Sequence, residues 1–347
     1  MAELTEAELF EAELLEPEAL EQVQLTEPIS ADALTPEIPS RRFGSWRLRH
    51  KLGEGGMAVV FLAESRGGPG QPVQAALKFM KPRAHEGVDF DALFAAEGDV
   101  MGMLRHPNLV ELYEVGKREG DYFLALEYCS GGDLSALMKA QRARGRPFPP
   151  PVALQIGIEL LGALAAVHQA QTARGQSLGL AHGDLNPGNI LLAPAQGRAK
   201  LADFGVVSGH ALGLPEGSSA GKLHYLSPEQ VQGKPLSAAS DLFSLGIVLY
   251  EMLVGCRPFE GSTDSVVMDA ICSARFDARP LSASERTIFE RALAKNPKNR
   301  FPTAGAFAGE LLRHQLDSGL QAPPGALAKL VEELRQEGRS VQLPGSS

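Results

Sequence analysis

The sequence predicts an α+β fold in two lobes, a strand-rich first half followed by a helical second half. Three observations carry that expectation. Between Phe43 and Tyr128, short apolar–polar alternations are interrupted by glycine turns, as in half-buried strands. After Asp133, apolar residues recur at helical spacing in run after run. Residues 1–40 share neither pattern and stand apart in charge.

The chain has 347 residues, 44% of them hydrophobic, enough for one large domain or two lobes with real cores. Its net charge of −9 is unevenly spread. Residues 1–40 hold ten Glu and one Asp with no Lys or Arg, while the remainder holds 33 basic and 31 acidic residues. The body is therefore nearly neutral, which argues against a nucleic-acid partner. The best apolar run, Ile156 to Val167, is interrupted by Glu159 and reads as a buried core helix, so no membrane span is expected. The N-terminus lacks the basic start and apolar core of a secretory signal, and Cys129, Cys256 and Cys272 have neither metal-ligand nor disulfide spacing. A cytoplasmic location is the expectation, with the cysteines as packing residues.

The elements follow in order. Residues 1–42 are expected to form an acidic, largely disordered tail. A five-residue repeat runs through Ala2–Glu6, Ala7–Glu11 and Ala12–Glu16, with a degraded copy at Pro17–Glu21. It places Leu4, Leu9 and Leu14 about 140° apart around a helix, so no apolar stripe forms. Such a tail could dock a partner or regulate its own chain, with Thr26 and Thr35 as candidate phosphosites. Trp46 to Leu52 and Val59 to Leu62 read as strands around a glycine turn, and Val73–Met80 as a third strand after the turn Arg66–Gly70. A helix over about Phe90–Leu104 ends at His106-Pro107-Asn108, and strands follow at Leu109–Val115 and Tyr122–Tyr128. Helices are expected at 133–143, 151–171, 237–254, 264–273, 282–294 and 303–315. Residues 316–324 read as a Pro/Gly linker, and Ala326–Glu337 as a peripheral amphipathic helix. The segment from His168 to His182 reads as a surface loop.

Four stretches carry chemistry. Gly53-Glu54-Gly55-Gly56-Met57-Ala58-Val59-Val60 lies between two strands, where glycines let backbone N–H groups approach anionic oxygens. Lys78 closes the apolar strand Ala75-Ala76-Leu77-Lys78, which has no packing reason to hold a charge. His182-Gly183-Asp184-Leu185-Asn186-Pro187-Gly188-Asn189 sets an Asp and an Asn five residues apart ahead of the apolar run Ile190-Leu191-Leu192. One carboxylate can take a proton from an attacking hydroxyl, and one amide oxygen can hold a magnesium ion. Asp203, in Ala202-Asp203-Phe204-Gly205, is the second acidic site. Asp133, after Gly131-Gly132, caps the next helix or reaches a ribose.

Together these motifs, in this order over residues 43–315, resemble the eukaryotic-type (Hanks-type) protein kinases of the bacterial Ser/Thr class. The resemblance implies the two-lobed protein-kinase fold, with a small lobe at 43–128, a large lobe at 129–315, and residues 316–347 outside it. It implies ATP and Mg2+ as cofactors and proteins as substrates. Asp184 would be the proton acceptor, Lys78 and Glu97 an ion pair at the phosphates, and Asn189 and Asp203 the metal ligands. The nucleotide would lie among Leu52, residues 53–60, Ala76, Lys78 and the hinge at Glu127 and Cys129, with Leu126 at the back. Glu229 is expected to pair with Arg300, and Asp241 to brace the catalytic loop.

The chain departs from that family in three places. Gly183 stands where an Arg clamps a phosphorylated activation loop, and the segment from Gly205 to Ser227 has no Thr, only Ser208, Ser218 and Ser219 inside it. Switching by loop phosphorylation is therefore not expected. Asn186 replaces a Lys that balances charge on the transferring phosphate, and Lys222 replaces the substrate-loop Thr. The expectation is that Lys222 supplies the missing cation from across the site, as a further catalytic residue. Gly98 and Gly102 soften the Glu97 helix, making its docking a candidate control point. Two other readings stay open: a nucleotide-binding pseudokinase scaffold, and a small-molecule phosphotransferase, which the His-Gly-Asp form of the loop also resembles.

Overall fold

The computed structural model describes residues 42–55, 58–65, 74–81, 90–118, 120–172, 174–203 and 221–340. The side chains of 90–93, 95–97 and 337–340 lie outside that description. So do the acidic segment, Gly56, Met57, the turn Arg66–Gly70 and the segment from Phe204 to Ala220.

The small lobe is one antiparallel sheet of β1 (Arg42–Phe43), β2 (Trp46–Glu54), β3 (Ala58–Ser65), β4 (Gln74–Met80), β5 (Leu112–Arg118) and β6 (Asp121–Glu127), in the order β1-β2-β3-β4-β6-β5. Helix α1 (Phe90–Met103) lies between β4 and β5 in sequence. One sheet face holds an aromatic knot in which Phe43 meets Phe79 and Phe123 edge-on at 4.9 and 5.0 Å between centroids. Trp46 closes it, its indole N–H donating to Glu114 at 2.9 Å. Strand β5 starts three residues later than the sequence suggests. Leu109 and Val110 are apolar because they serve the other lobe: Leu109 bridges Leu201, and Val110 N donates to Leu201 O at 3.0 Å.

The large lobe comprises α2 (Leu134–Ala143), α3 (Pro150–His168), a β7 (Ile190–Ala193) and β8 (Arg198–Leu201) hairpin, then α4 (Pro228–Val231), α5 (Ala238–Val254), α6 (Asp264–Ser273), α7 (Ala283–Ala292), α8 (Ala304–Asp317) and α9 (Ala326–Ser340). Local chemistry sets the helix starts. Asp133, Thr263, Ser282 and Thr303 cap α2, α6, α7 and α8 through side-chain oxygens, and Ser282 adds a reciprocal bond with Glu285. Helix α5 is buried on every side from Ser240 to Met252, the mark of a helix at the centre of a core.

Helix α3 corrects the expectation that no apolar run is long enough to span a membrane, since Pro150–His168 is long and apolar enough by length and composition. Its apolar residues are spent on the lobe's own core. Ten of them are buried, and α3 packs against α5, α8 and β8. At Gly157 a Cβ would lie 2.5 Å from a methyl of Leu249, so this glycine is what lets α3 and α5 approach. The helix also stops at His168 rather than 171. The segment beyond it turns back on itself, with Gln171 bridging Ser177 and Leu178 N donating to Ala170 O at 2.9 Å.

Sequence alone places α9 at the periphery; the structure docks it. Leu327, Leu330 and Val331 are buried, and α9 packs against α2 and the turn Pro194–Gln196. Arg335 donates to the carbonyl of Ser130, and Arg144 Nη2 donates to Leu334 O at 3.4 Å.

Candidate active site

The loop between α3 and β7 is held by Asp241, near the start of α5. Its two carboxylate oxygens accept from the backbone N–H of His182 at 2.8 Å and of Gly183 at 2.9 Å. His168 at the end of α3 adds a ring nitrogen at 2.8 Å. Asp241 is 1% exposed, so this carboxylate is a rigid internal anchor, as the sequence suggested. His182 Nε2 lies 2.9 Å from Ala202 O, and Ala202 N donates to Asn189 O at 2.8 Å. The loop and the Asp203 segment are thus one unit.

Gly183 sits at φ +75°, in the left-handed region that glycine enters without steric cost. Its carbonyl accepts from Gln230 at 2.8 Å. The residue that drops the expected Arg therefore also relaxes a strained backbone position.

Asp184 is surrounded by donors. Asn186 Nδ2 donates to its Oδ1 at 3.1 Å, Asn189 Nδ2 to its Oδ2 at 2.9 Å, and Lys222 Nζ to the same Oδ2 at 2.5 Å. Both amides also donate to the Asp184 carbonyl. Asn186 spends its own Oδ1 on Gly188 N at 3.0 Å, capping the turn Pro187–Asn189. It braces the loop and brings no charge. Asn189 keeps its amide oxygen, since its amide nitrogen is the atom used.

Asp203 is a non-glycine residue at φ +56°, a costly conformation. It brings the carboxylate within 2.7 Å of Lys78 Nζ on β4. Burial alone would raise the Asp203 pKa, but Lys78 and then Lys222 outweigh it and hold the carboxyl below its ordinary range. Lys78, Asp203, Asp184, Asn189 and Lys222 thereby join one cleft. Glu97 lies on α1, and its expected pairing with Lys78 falls outside the described side chains.

The expected nucleotide residues divide. Gly55 N donates to Ala58 O at 2.9 Å, closing the β2–β3 turn. Leu52 is exposed, and Val60, Ala76 and Lys78 are half-buried across β3 and β4. Val59 is a correction: its side chain points into the small-lobe core, so only its backbone can serve a ligand. The Glu54 side chain pairs with Lys51 and Lys81, which hold its pKa down at about 2. Glu127 turns its carboxylate away into a buried network, with Lys200 at 2.7 Å and Gln196 at 2.9 Å. Burial pushes the Cys129 thiol up to about 12, which makes it an unreactive packing group. Asp133 caps α2, accepting from Ala136 N at 2.8 Å.

Sequence reasoning missed the Glu127–Lys200 pair, although the signal used for Lys78, a charge in an apolar strand, was present in Arg198–Leu201. It also missed Glu251 on α5, which takes Arg142 at 2.9 Å and the Tyr225 hydroxyl at 2.5 Å. The expected Glu229–Arg300 pair is bidentate at 2.6 and 2.8 Å, with Arg300 fully enclosed.

This geometry is that of a phosphoryl-transfer cleft between two lobes, and residues 46–316 match the protein kinase domain. The chain belongs to that family, and the relatives it resembles are bacterial protein kinases. It is 34% identical over 316 residues to the tyrosine-protein kinase MasK of Myxococcus xanthus (strain DK1622), covering 88% of this chain and 48% of that protein. It is 32% identical over 283 residues to the serine/threonine-protein kinase PknJ of Mycobacterium tuberculosis (strain ATCC 25618 / H37Rv), covering 77% of this chain and 44% of PknJ. The chain thus spans about half the length of these relatives. The crystal structure of the Mycobacterium tuberculosis PknI kinase domain superposes with a TM-score of 0.58 at 26% identity, covering 80% of this chain and 99% of that one.

Proposed function

We propose that this chain is an ATP- and Mg2+-dependent protein kinase that phosphorylates Ser and Thr hydroxyls of proteins. The observation that carries the reading is the meeting of Asp184, Asn189, Asp203 and Lys78 in one cleft, each with an assignable atom. Asn189 Oδ1 and the Asp203 carboxylate are hard oxygen donors suited to Mg2+, and they need nucleotide phosphates and water to complete a shell. When bound there, the ion would neutralise charge on the phosphates.

The chain's own groups do the rest. Lys78 holds phosphate oxygens. Asp184, fixed by two amides and Lys222, accepts the proton of the acceptor hydroxyl as its oxygen attacks. Lys222 reaches the same carboxylate from the facing segment and remains 42% exposed on its side chain, so its charge can face the transferring phosphoryl group. It does the work that a Lys at position 186 would do. The backbone at Glu127 and Cys129 reads the adenine edge, since the Glu127 side chain is committed elsewhere.

Labelled ATP, Mg2+ and a generic protein substrate test the reading. Label on protein that disappears in Asp184→Asn supports it. ATP binding without transfer would instead favour a scaffold, and transfer only to small molecules a small-molecule phosphotransferase. PknJ is named a serine/threonine kinase and MasK a tyrosine kinase, so phosphoamino-acid analysis decides the acceptor.

A further inference from the structure

A cleft of about 440 Å³ lies beside the catalytic loop, on the large-lobe side. Its charge is one-sided. Lys139 and Arg142, three residues apart on one face of α2, line it together with Lys222 and Arg257. Its one carboxylate among the described lining residues, Glu251, is already committed at both oxygens, to Arg142 and to Tyr225. Arg257 has only a 3.9 Å contact with the exposed Glu260, and Lys139 has no ion-pair partner among the described residues. Among the described residues the cleft therefore offers Lys139 and Arg257 as surplus cations and no free carboxylate to an incoming chain, Arg142 being paired with Glu251 and Lys222 with Asp184.

The same sequence carries a segment of opposite charge. Residues 1–40 hold ten Glu, one Asp and no Lys or Arg, and they enter the fold at Arg42. Every Thr in the segment has a carboxylate within two residues: Thr5 beside Glu6, Thr26 beside Glu27 and Thr35 near Glu37. A chain spans at most about 3.5 Å per residue, so Thr26 can lie as far as about 55 Å from Arg42 and Thr5 farther still. Tethering also keeps the segment at high effective concentration.

Building on the kinase reading above, we infer that this cleft takes a carboxylate-rich polypeptide, and that the chain's own residues 1–40 occupy it, bringing Thr5, Thr26 or Thr35 to Asp184. The reaction forms a bond from the Thr Oγ to the γ-phosphorus of ATP and breaks the bond to the β–γ bridging oxygen. The hydroxyl proton passes to Asp184, and ADP leaves. External substrates of the same kind would carry acidic residues beside the acceptor, and substrates with basic residues there would be repelled.

The test uses the full chain with Mg2+ and labelled ATP, alone and with a basic generic protein, followed by mass-spectrometric site mapping. Label is expected on Thr5, Thr26 or Thr35. The double variant Lys139→Glu/Arg257→Glu should lower that labelling about tenfold, as when partly exposed ion pairs become like-charge contacts. Transfer to the basic protein should hold or rise, which also shows that the variant is folded. Label confined to residues 42–347, or an equal loss on both substrates, overturns the inference while leaving the kinase reading intact. No transfer to any protein, in the unaltered chain, removes the kinase reading itself.

Discussion

The ammonium of Lys222 lies 2.5 Å from Oδ2 of Asp184, while Asn186, two residues along the loop, reaches the other oxygen with an uncharged amide. A cation has been lost at one position and gained at a facing one. If the charge and not the position matters, Lys222→Thr should lower kcat by about 10²–10³-fold, the size seen when one preorganised transition-state donor is removed. Adding Asn186→Lys to that variant should restore most of the rate. Equal activity in the single and double variants would end the idea, and circular dichroism would show that both are folded.

The Glu229–Arg300 pair should dominate large-lobe stability. Arg300 also donates to the carbonyls of Ala294 and Ala239 at 2.8 Å, and Ser240 donates to Glu229 at 2.8 Å. Glu229→Ala would strand a buried guanidinium and should cost about 3–5 kcal/mol in denaturant unfolding. The pair also sets a pH dependence. Burial by itself raises the Glu229 pKa, but Arg300 and then Ser240 outweigh it, so the folded value lies below the ordinary 4.5. Its stabilisation is complete above pH 4.5 and is lost as pH falls through the folded value. Glu229→Gln should flatten the acid limb of a stability–pH curve.

Much of the fold was legible because its signals are local. The alternation in β2, the cap of α2 and the apolar residues of α5 each follow from neighbouring residues. What escaped depends on partners distant in sequence. Leu109 and Val110 looked like the start of β5 because burial against Leu201 leaves the same apolar mark as a sheet. Lys200 and Glu127 are 73 residues apart, and neither charge names its partner. The position of Val59 in the motif points to the nucleotide, but its strand turns the side chain to the core. In the site, the residue types showed what Asp184, Asn189 and Asp203 could do and pointed to Lys222 as the replacement cation, but only the fold showed that Asn186 braces the loop and that Lys222 meets Asp184 directly.

Gly98 and Gly102 looked equivalent in sequence, as two soft points beside Glu97; the structure separates them. A Cβ at Gly98 would lie 2.8 Å from Val115 on β5, whereas one at Gly102 meets nothing within 4 Å. Gly102→Ala should therefore stabilise α1 by up to about 1 kcal/mol. Gly98→Ala should push α1 off the sheet, with the loss appearing in activity before it appears in global melting. Equal effects of the two substitutions would mean that α1 docking does not control the enzyme.

Helix α9 touches the link between the lobes. Arg335 donates to the carbonyl of Ser130, the residue after Cys129, and Leu327, Leu330 and Val331 anchor the helix on the large lobe. Two effects should separate. Leu330→Ala removes apolar burial worth about 1.5–3 kcal/mol and should lower Tm by several degrees. Arg335→Ala leaves that anchor in place, since Arg335 itself is exposed. It frees the Ser130 carbonyl and loosens the segment next to the backbone of Glu127 and Cys129, which we propose reads the adenine, so KM for ATP should rise several-fold with Tm nearly unchanged. A KM that stays constant in Arg335→Ala while Tm falls would assign α9 to stability alone.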